Sequence, residues 1–310
     1  MARKVKINTP SRLHFGMVNP FIRGARRYIS AGVAVSYPNN IVIVKEGSEL
    51  RVEGCRSDEV FTRIKDFAVK HGLKGIIEIR ECIPRHIGLG STTQLVLAAG
   101  YGLALVNNRL IDPVEIAVET GLGKYSGVGT YVFKHGGFVV DMGRSGSTVF
   151  PPLLTRLEFP EEWVFIIAIP SGSGLDEERE DRIFTEENRN IPVELTWKAS
   201  YHLIELSSAV VERDFDSFVK ALTALQETVG SMFSRYQGGV FSVNSARAIE
   251  LLRENGVEGV GQSSWGPAVY GVVKGLEEAE AILEKLRPRL DGKVFITSPR
   301  NKGAEVVEEK

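Results

Sequence analysis

Ile83-Pro-Arg-His-Ile-Gly-Leu-Gly-Ser-Thr-Thr-Gln94 places a proline and two glycines directly ahead of Leu95 to Asn107, a run that is apolar almost throughout and rich in alanine. Such a run reads as a buried helix. The glycines permit positive φ and let backbone N–H groups come close to a ligand. Ser91, Thr92 or Thr93 can cap the helix while offering a hydroxyl to a phosphate or its metal ion. The first N–H groups of a helix lack internal partners and lie at the positive end of its dipole. Loop and helix start therefore form an anion cradle. The pattern is neither GxxxxGK[ST] nor GxGxxG, so those two phosphate-binding readings are set aside. A structural turn before a capped helix is the bland alternative. A second stretch, Gly259-Val-Gly-Gln-Ser-Ser-Trp-Gly-Pro-Ala-Val-Tyr270, follows the same logic. Gly259, Gly261 and Gly266 bend the chain, Ser263 and Ser264 bring hydroxyls and amides, and Trp265 brings a flat face or a core anchor.

Outward from these two stretches the chain alternates strands and helices without a strict βαβ rhythm, which predicts an α+β fold. Residues 4–8 and 31–37 read as strands, and 41–45 with 50–53 extend an antiparallel impression. From Asp58 to His71 the apolar positions Val60, Ile64, Phe67 and Ala68 share a helical face, and Gly72 supplies a stop. Gly75–Arg80 is a strand. Asp112 and Pro113 read as the N-cap and first residue of another helix. Phe138–Asp141 is a short strand that Asp141 either ends or equips with a metal ligand. The pattern resets near Pro151-Pro152, and the buried strand Trp163–Pro170 opens a second domain, so the division is expected as 1–155 and 156–310. Helices follow at 195–212, 214–229, 243–255 and 276–287, with strands at 268–274 and, last, Lys293–Thr297. The acid-rich stretch from Gly172 to Pro192 reads as a solvated loop and surface helix, or as a lid over the site.

Composition narrows the class. With 310 residues, 43% hydrophobic and 25% charged, the chain is that of an ordinary globular protein of one large or two ordinary domains. The net charge of −1 gives no global field for nucleic acid. No acidic residue precedes Glu46, however, while Arg3, Lys4, Lys6, Arg12, Arg23, Arg26 and Arg27 all fall there. That asymmetry is either a basic surface or a local site for an anion, since Arg binds phosphate and carboxylate bidentately. Cys55 and Cys82 read as too few and too far apart for a disulfide framework or a CxxC motif, so a reducing compartment is expected. No signal-like or 18-residue apolar run occurs, which predicts a cytoplasmic protein without a membrane span.

These motifs carry a family resemblance. Pro84-Arg-His-Ile-Gly-Leu-Gly-Ser-Thr92 resembles the P-x-x-x-G-L-G-S-S signature of the superfamily of galactokinase, homoserine kinase, mevalonate kinase and phosphomevalonate kinase. The resemblance implies an N-terminal domain like domain 2 of ribosomal protein S5 and a ferredoxin-like C-terminal domain. Four features are closer to one branch, the archaeal β-ribofuranosylaminobenzene 5′-phosphate synthases of methanopterin biosynthesis. They are Pro10-Ser-Arg-Leu-His-Phe-Gly16, the glycine loop, Ser126-Gly-Val-Gly-Thr130 with Lys134-His-Gly-Gly-Phe138, and Gly261-Gln-Ser-Ser-Trp-Gly-Pro267. Kinases of the superfamily commonly carry S-G-x-D, whose Asp is the catalytic base; here Gly129 stands in its place. The kinase-type N-terminal Lys is also missing. Kinase activity is thereby disfavoured.

The branch's reaction joins 4-aminobenzoate to phosphoribosyl pyrophosphate through a C–C bond at C1 of the ribose and releases pyrophosphate and CO2. The resemblance therefore implies these two small-molecule substrates, a divalent cation such as Mg2+, no organic cofactor, and a homodimer. Gly88, Gly90, Ser91, Thr92, Thr93 and Gln94 are expected to hold the pyrophosphate. Arg26 and Arg27 would neutralise phosphate, and Arg12 and His14 would lie at the reacting centre, Arg12 toward the carboxylate. Ser263, Ser264 and Trp265 would close over sugar or ring. His86 and His135 are weaker candidates for ligand contact. No clustered His/Cys set suggests zinc. Two rivals stay open: an ATP-dependent small-molecule kinase of the same fold, and a non-catalytic metabolite sensor.

Overall fold

The computed structural model describes residues 3–21, 26–171, 177–185 and 191–309. Arg23 and Asp176, and with them much of the acid-rich stretch, lie outside the described residues. The N-terminal half runs β1 (Lys4–Asn8), β2 (Ser11–Met17), β3 (Ser30–Val35), β4 (Ile41–Lys45), β5 (Leu50–Gly54), α1 (Ser57–His71), β6 (Gly75–Glu81), α2 (Ser91–Val106), α3 (Pro113–Glu119), α4 (Val128–His135), β7 (Phe138–Asp141) and β8 (Leu153–Leu157). The rest runs β9 (Trp163–Pro170), α5 (Glu177–Thr185), α6 (Val193–Glu212), α7 (Phe215–Gln237), α8 (Val243–Glu254), β10 (Gly259–Gln262), β11 (Val269–Lys274), α9 (Leu276–Leu286), β12 (Gly292–Thr297) and β13 (Glu305–Glu309).

These elements form three sheets of mixed α+β architecture, ordered β13-β1-β4-β6-β5, β2-β3-β7-β8 and β10-β11-β9-β12. Alternation along β1 and β4 turns Val5, Ile7, Val42 and Val44 to one side. There they meet the all-round apolar α2 and the Val60, Ile64 and Phe67 face of α1. In β9 the alternation serves two layers. Val164, Ile166 and Ala168 pack with Ala248, Leu252 and Ile282 of α8 and α9. Phe165 and Ile167 face α6, α7 and the N-terminal Leu13, Phe15 and Phe138. One core thus joins the two halves. Asp112 caps α3 through Val114 N with Pro113 in the first turn, and Gly72 ends α1 at φ 64°, both as local chemistry dictates.

Several expectations need correction. β5 is not antiparallel to β4; it lies at the sheet edge, parallel to β6, because α1 carries the chain across before β6 begins. That parallel pairing brings together the residues after the two strands, and Cys55 and Cys82 form a disulfide despite 27 residues of separation. β12 is not the last strand, since β13 returns to pair with β1. α2 starts at Ser91 and α7 extends to Gln237. β2, α4, β8 and β10 were not legible as elements, being short or rich in glycine and polar residues. The division expected at 155/156 falls inside β8, which pairs with β7. No helix among the described residues is long and apolar enough to cross a membrane.

Candidate active site

The two glycine-rich stretches meet. Ser263 Oγ donates to Gly88 O at 2.6 Å and accepts the His14 N–H at 3.0 Å. Ala268 N donates to Ile87 O at 3.2 Å. Glycine is required where they cross: a Cβ on Gly88, whose φ is +89°, would lie 2.2 Å from Ser263 O, and one on Gly266 would lie 2.2 Å from Gly88 N. The N-cap of α2 is Gly90, which supplies no side-chain cap, so the N–H groups of the first turn at Ser91, Thr92 and Thr93 have no intrahelical partner. Thr92 Oγ1 is held by Arg56 Nη2 at 2.8 Å and bonded to Glu59 Oε1 at 3.0 Å. Arg56 also donates to Ile83 O at 3.0 Å. Arg56 follows Cys55 and Ile83 follows Cys82, so the disulfide joins the residues next to both ends of that hydrogen bond.

Beside this clasp is a cavity of about 440 Å³. Arg12 and His14, two apart on β2 and so on one side of the strand, both line it. Arg12 Nη1 donates to Gly88 O at 3.1 Å, while its buried Nε has no partner among the described residues. Burial lowers the Arg12 pKa to about 10, against the opposing charge of Glu180, so the guanidinium stays charged near neutrality. Burial, aided by the Arg12 charge, pushes His14 well below its usual range and leaves the imidazole neutral. The opposite wall is aromatic. Trp265 packs edge-on against Phe233 with centroids 4.8 Å apart, and Tyr125 lies 4.3 Å from Phe184. Trp265 Nε1 donates to Glu180 Oε1 at 3.1 Å.

Of the residues expected at the site, Arg12, His14, Thr92, Thr93, Ser264 and Trp265 line the cavity. Gly88, Gly90 and Ser91 form the loop behind them. Gln94 is fully buried and donates to Gly129 O at 2.7 Å. Ser263 is fully buried in the clasp, its hydroxyl taken up by the protein. Arg26 and Arg27 are exposed and outside the lining: Arg26 reaches Gly143 O at 3.2 Å, and Arg27 lies over the Tyr28 ring. His86 and His135 are outside it too. Gly129 lies close against Thr93, whose Cγ2 is 3.0 Å from where its Cβ would be, so a side chain there would have to displace Thr93. The carboxylate nearby in the fold is Asp141, fully buried and bonded to Gly127 N and Ser126 Oγ.

Sequence reading missed Arg63, Lys124, Tyr125, Gln226 and Phe233, which also line the cavity. The glycine-rich, basic Gly121-Leu-Gly-Lys-Tyr-Ser126 was a usable signal. α7 gave none, since Gln226 and Phe233 look like ordinary positions of an amphipathic helix. α5 brings Glu180, Asp181 and Phe184 to the cavity wall and leaves Glu178, Arg182 and Thr185 exposed, so it is a surface helix that also lines the site. Asp181 is paired with Lys124 at 2.5 Å and accepts from Tyr125 OH at 2.8 Å. Among the described residues, the cluster of three metal-capable side chains is His71, Glu115 and Glu119, none of which lines the cavity. A divalent ion there would have Glu180, Asp181 and the Thr93 hydroxyl within its walls. One or two carboxylates plus ligand phosphates suit Mg2+.

Comparison with known proteins places the chain. The family models described as GHMP kinases N terminal domain and GHMP kinases C terminal match residues 58–137 and 206–291. The β-ribofuranosylphenol 5′-phosphate synthase of Methanothermobacter thermautotrophicus is 31% identical, covering 99% of this chain and all of that protein. The protein of the same name from Archaeoglobus fulgidus is 30% identical over 97% of this chain and 99% of its own length. Among solved structures, mevalonate diphosphate decarboxylase from Staphylococcus aureus superposes with a TM-score of 0.70 at 15% identity, covering 99% of this chain and 98% of that one. Homoserine kinase from Cytophaga hutchinsonii gives 0.67 at 14% identity, over 98% and 97%. At these identities the likeness shows the shared fold.

Proposed function

Because this chain belongs to the β-ribofuranosylphenol 5′-phosphate synthase family, enzymes of the pentosyltransferase type with the GHMP kinase fold, we propose that it joins a 4-substituted benzoate to phosphoribosyl pyrophosphate with loss of CO2. The acceptor is 4-aminobenzoate and the pathway methanopterin biosynthesis. The relatives' name carries a phenol, which favours 4-hydroxybenzoate as the second acid to test. In this reaction the ring carbon bearing the carboxylate bonds to C1 of the ribose as the C1–O bond to pyrophosphate breaks. The C–CO2 bond then gives its electron pair back to the ring. CO2 departs rather than a proton, so no base is needed at the ring carbon, in keeping with Gly129 where a kinase has its Asp.

The observation that carries this reading is Arg12: a charged guanidinium with a buried, unpartnered Nε, inside a cavity with a helix N-terminus on one side and an aromatic wall on the other. The helix start would bind pyrophosphate, Arg12 the benzoate carboxylate until it leaves, and Trp265, Phe233 and Phe184 would hold the ring. α5 would keep water from C1. Mg2+, held by the diphosphate with Glu180 and Thr93, would supply charge neutralisation for the leaving group. Purified protein given phosphoribosyl pyrophosphate, Mg2+ and either acid should release CO2 and an aryl C-riboside identifiable by mass. Absence of both would remove the assignment, and ADP release from ATP and an alcohol would favour the kinase. Arg12→Ala should cut turnover by roughly 100-fold, the scale of a charged hydrogen bond, while phosphoribosyl pyrophosphate still binds. Unchanged turnover would take Arg12 out of the mechanism.

A further inference from the structure

Asp141 is the buried ionisable group that the reaction above leaves unused. It ends β7, is fully buried, and has no Lys or Arg within ion-pair distance among the described residues. Four donors meet it. Gly143 N and Ser30 N reach Oδ1 at 2.9 and 3.3 Å, and Gly127 N and Ser126 Oγ reach Oδ2 at 2.8 and 3.1 Å. A serine hydroxyl has one proton. With it given to Asp141, Ser126 Oγ is left to accept, and its two further neighbours are Val128 N at 3.3 Å and His14 Nε2 at 3.4 Å. His14 Nε2 must then carry the hydrogen. On the other side of the ring Gly16 N donates to His14 Nδ1 at 3.2 Å, which demands a lone pair there. Two independent contacts select the same tautomer.

We propose that Asp141, acting through Ser126, is a positioning residue that holds His14 Nε2 and, together with the Gly16 N–H on Nδ1, denies the cavity an imidazole base. His14 and Ser126 line the cavity while Asp141 does not, so the carboxylate reaches the site through these two side chains. The consequence lies in product choice, and it rests on the reaction proposed above. Phosphoribosyl pyrophosphate has two fates in such a site. The ring carbon can bond to C1, or water can. In the second, a water oxygen bonds to C1, pyrophosphate leaves, the surplus proton goes to a base, and ribose 5-phosphate results. A lone pair of His14 facing the ligand would be the imidazole acceptor within reach of that proton, a weak one because burial and the Arg12 charge oppose the imidazolium. Bonded as it is, with Nε2 on Ser126 and Nδ1 on Gly16, the ring has no free lone pair to offer.

The test has two arms. In the first, nitrogen-15 NMR of the histidine-labelled wild-type protein at pH 8 should show His14, assigned by comparison with His14→Gln, as a single neutral tautomer protonated at Nε2. A charged ring, an Nδ1–H tautomer or a rapidly averaging mixture overturns the proposal, with no variant required and whatever the enzyme turns over. In the second, Ser126→Ala and Asp141→Asn are each given phosphoribosyl pyrophosphate and acceptor acid. Each should raise the ratio of ribose 5-phosphate to C-riboside by about tenfold or more and lower C-riboside formation by about 10- to 100-fold, with KM for phosphoribosyl pyrophosphate within twofold. Ser126→Thr, which keeps the hydroxyl, should restore the wild-type ratio. The double variant should be no worse than Ser126→Ala, because Asp141 acts through Ser126. A proportional fall in both products, or additive losses in the double variant, would assign Asp141 a structural role and defeat the inference. A wild-type enzyme that makes no C-riboside yet shows the expected His14 tautomer would sink the reaction and leave the positioning intact.

Discussion

Replacing Ser263 by Ala tests whether the clasp between the two glycine stretches shapes the site. The hydroxyl bridges residues far apart in sequence, giving its proton to Gly88 O at 2.6 Å and accepting the His14 N–H at 3.0 Å. Its loss affects the two partners unequally. Gly88 O keeps Arg12 Nη1 at 3.1 Å, so it stays bonded and about 1 kcal/mol is lost there. The buried His14 N–H is left without a partner, at a cost of about 1–3 kcal/mol. The total of about 2–4 kcal/mol should lower the melting temperature by roughly 3–6 °C. Because Gly88 and the first turn of α2 lose a tether, affinity for phosphoribosyl pyrophosphate should fall by at least about fivefold, or roughly 1 kcal/mol. Differential scanning calorimetry and isothermal titration calorimetry at pH 8 measure both. A melting shift below about 1 °C would mean that the bridge is not a significant restraint. Unchanged affinity in a destabilised variant would mean that the clasp stabilises the fold without shaping the phosphate site.

Three further outcomes are expected. Trp265→Ala should raise KM for the aromatic acid by roughly tenfold, the worth of one aromatic contact, with KM for phosphoribosyl pyrophosphate within twofold; equal rises in both would remove Trp265 from the aromatic wall. Burial raises the Asp141 pKa to about 7 against its four hydrogen bonds, so the folded protein holds that proton more tightly than the unfolded chain. This stabilisation is fully present only below the unfolded carboxyl value near 4 and is lost as pH rises through about 7. Wild type should therefore gain stability relative to Asp141→Asn as pH falls across that window, by at most about 4 kcal/mol, and parallel urea-unfolding profiles for the two proteins would contradict it. Reduction of Cys55–Cys82 should cost about 3–4 kcal/mol by releasing a closed loop of 27 residues in the unfolded chain, read as a lower melting temperature with reductant that Cys55→Ser reproduces and reductant no longer changes.

Sequence alone carried several features whose cause lies within a turn or two of the chain. The shared face of Val60, Ile64 and Phe67, the Asp112–Pro113 helix start, the stop at Gly72 and the buried helix behind the glycine loop all follow from side-chain spacing and capping. The same short-range chemistry marked Thr93, because glycines and hydroxyls before a helix have a meaning that needs no distant partner; Trp265 was marked by the glycine-rich turn around it, and Arg12 by the family resemblance. Long-range packing settled the remainder. That Ser263 serves the clasp and not the ligand depends on a hydrogen bond across 175 residues. That Cys55 meets Cys82 depends on β5 lying parallel to β6, and that α7 and α5 wall the cavity depends on α7 docking over β2 and on Phe184 of α5 packing against Tyr125 and Phe233. Local propensity is blind to such meetings, since a residue of an amphipathic helix reads the same whether its inner face meets a core or a substrate.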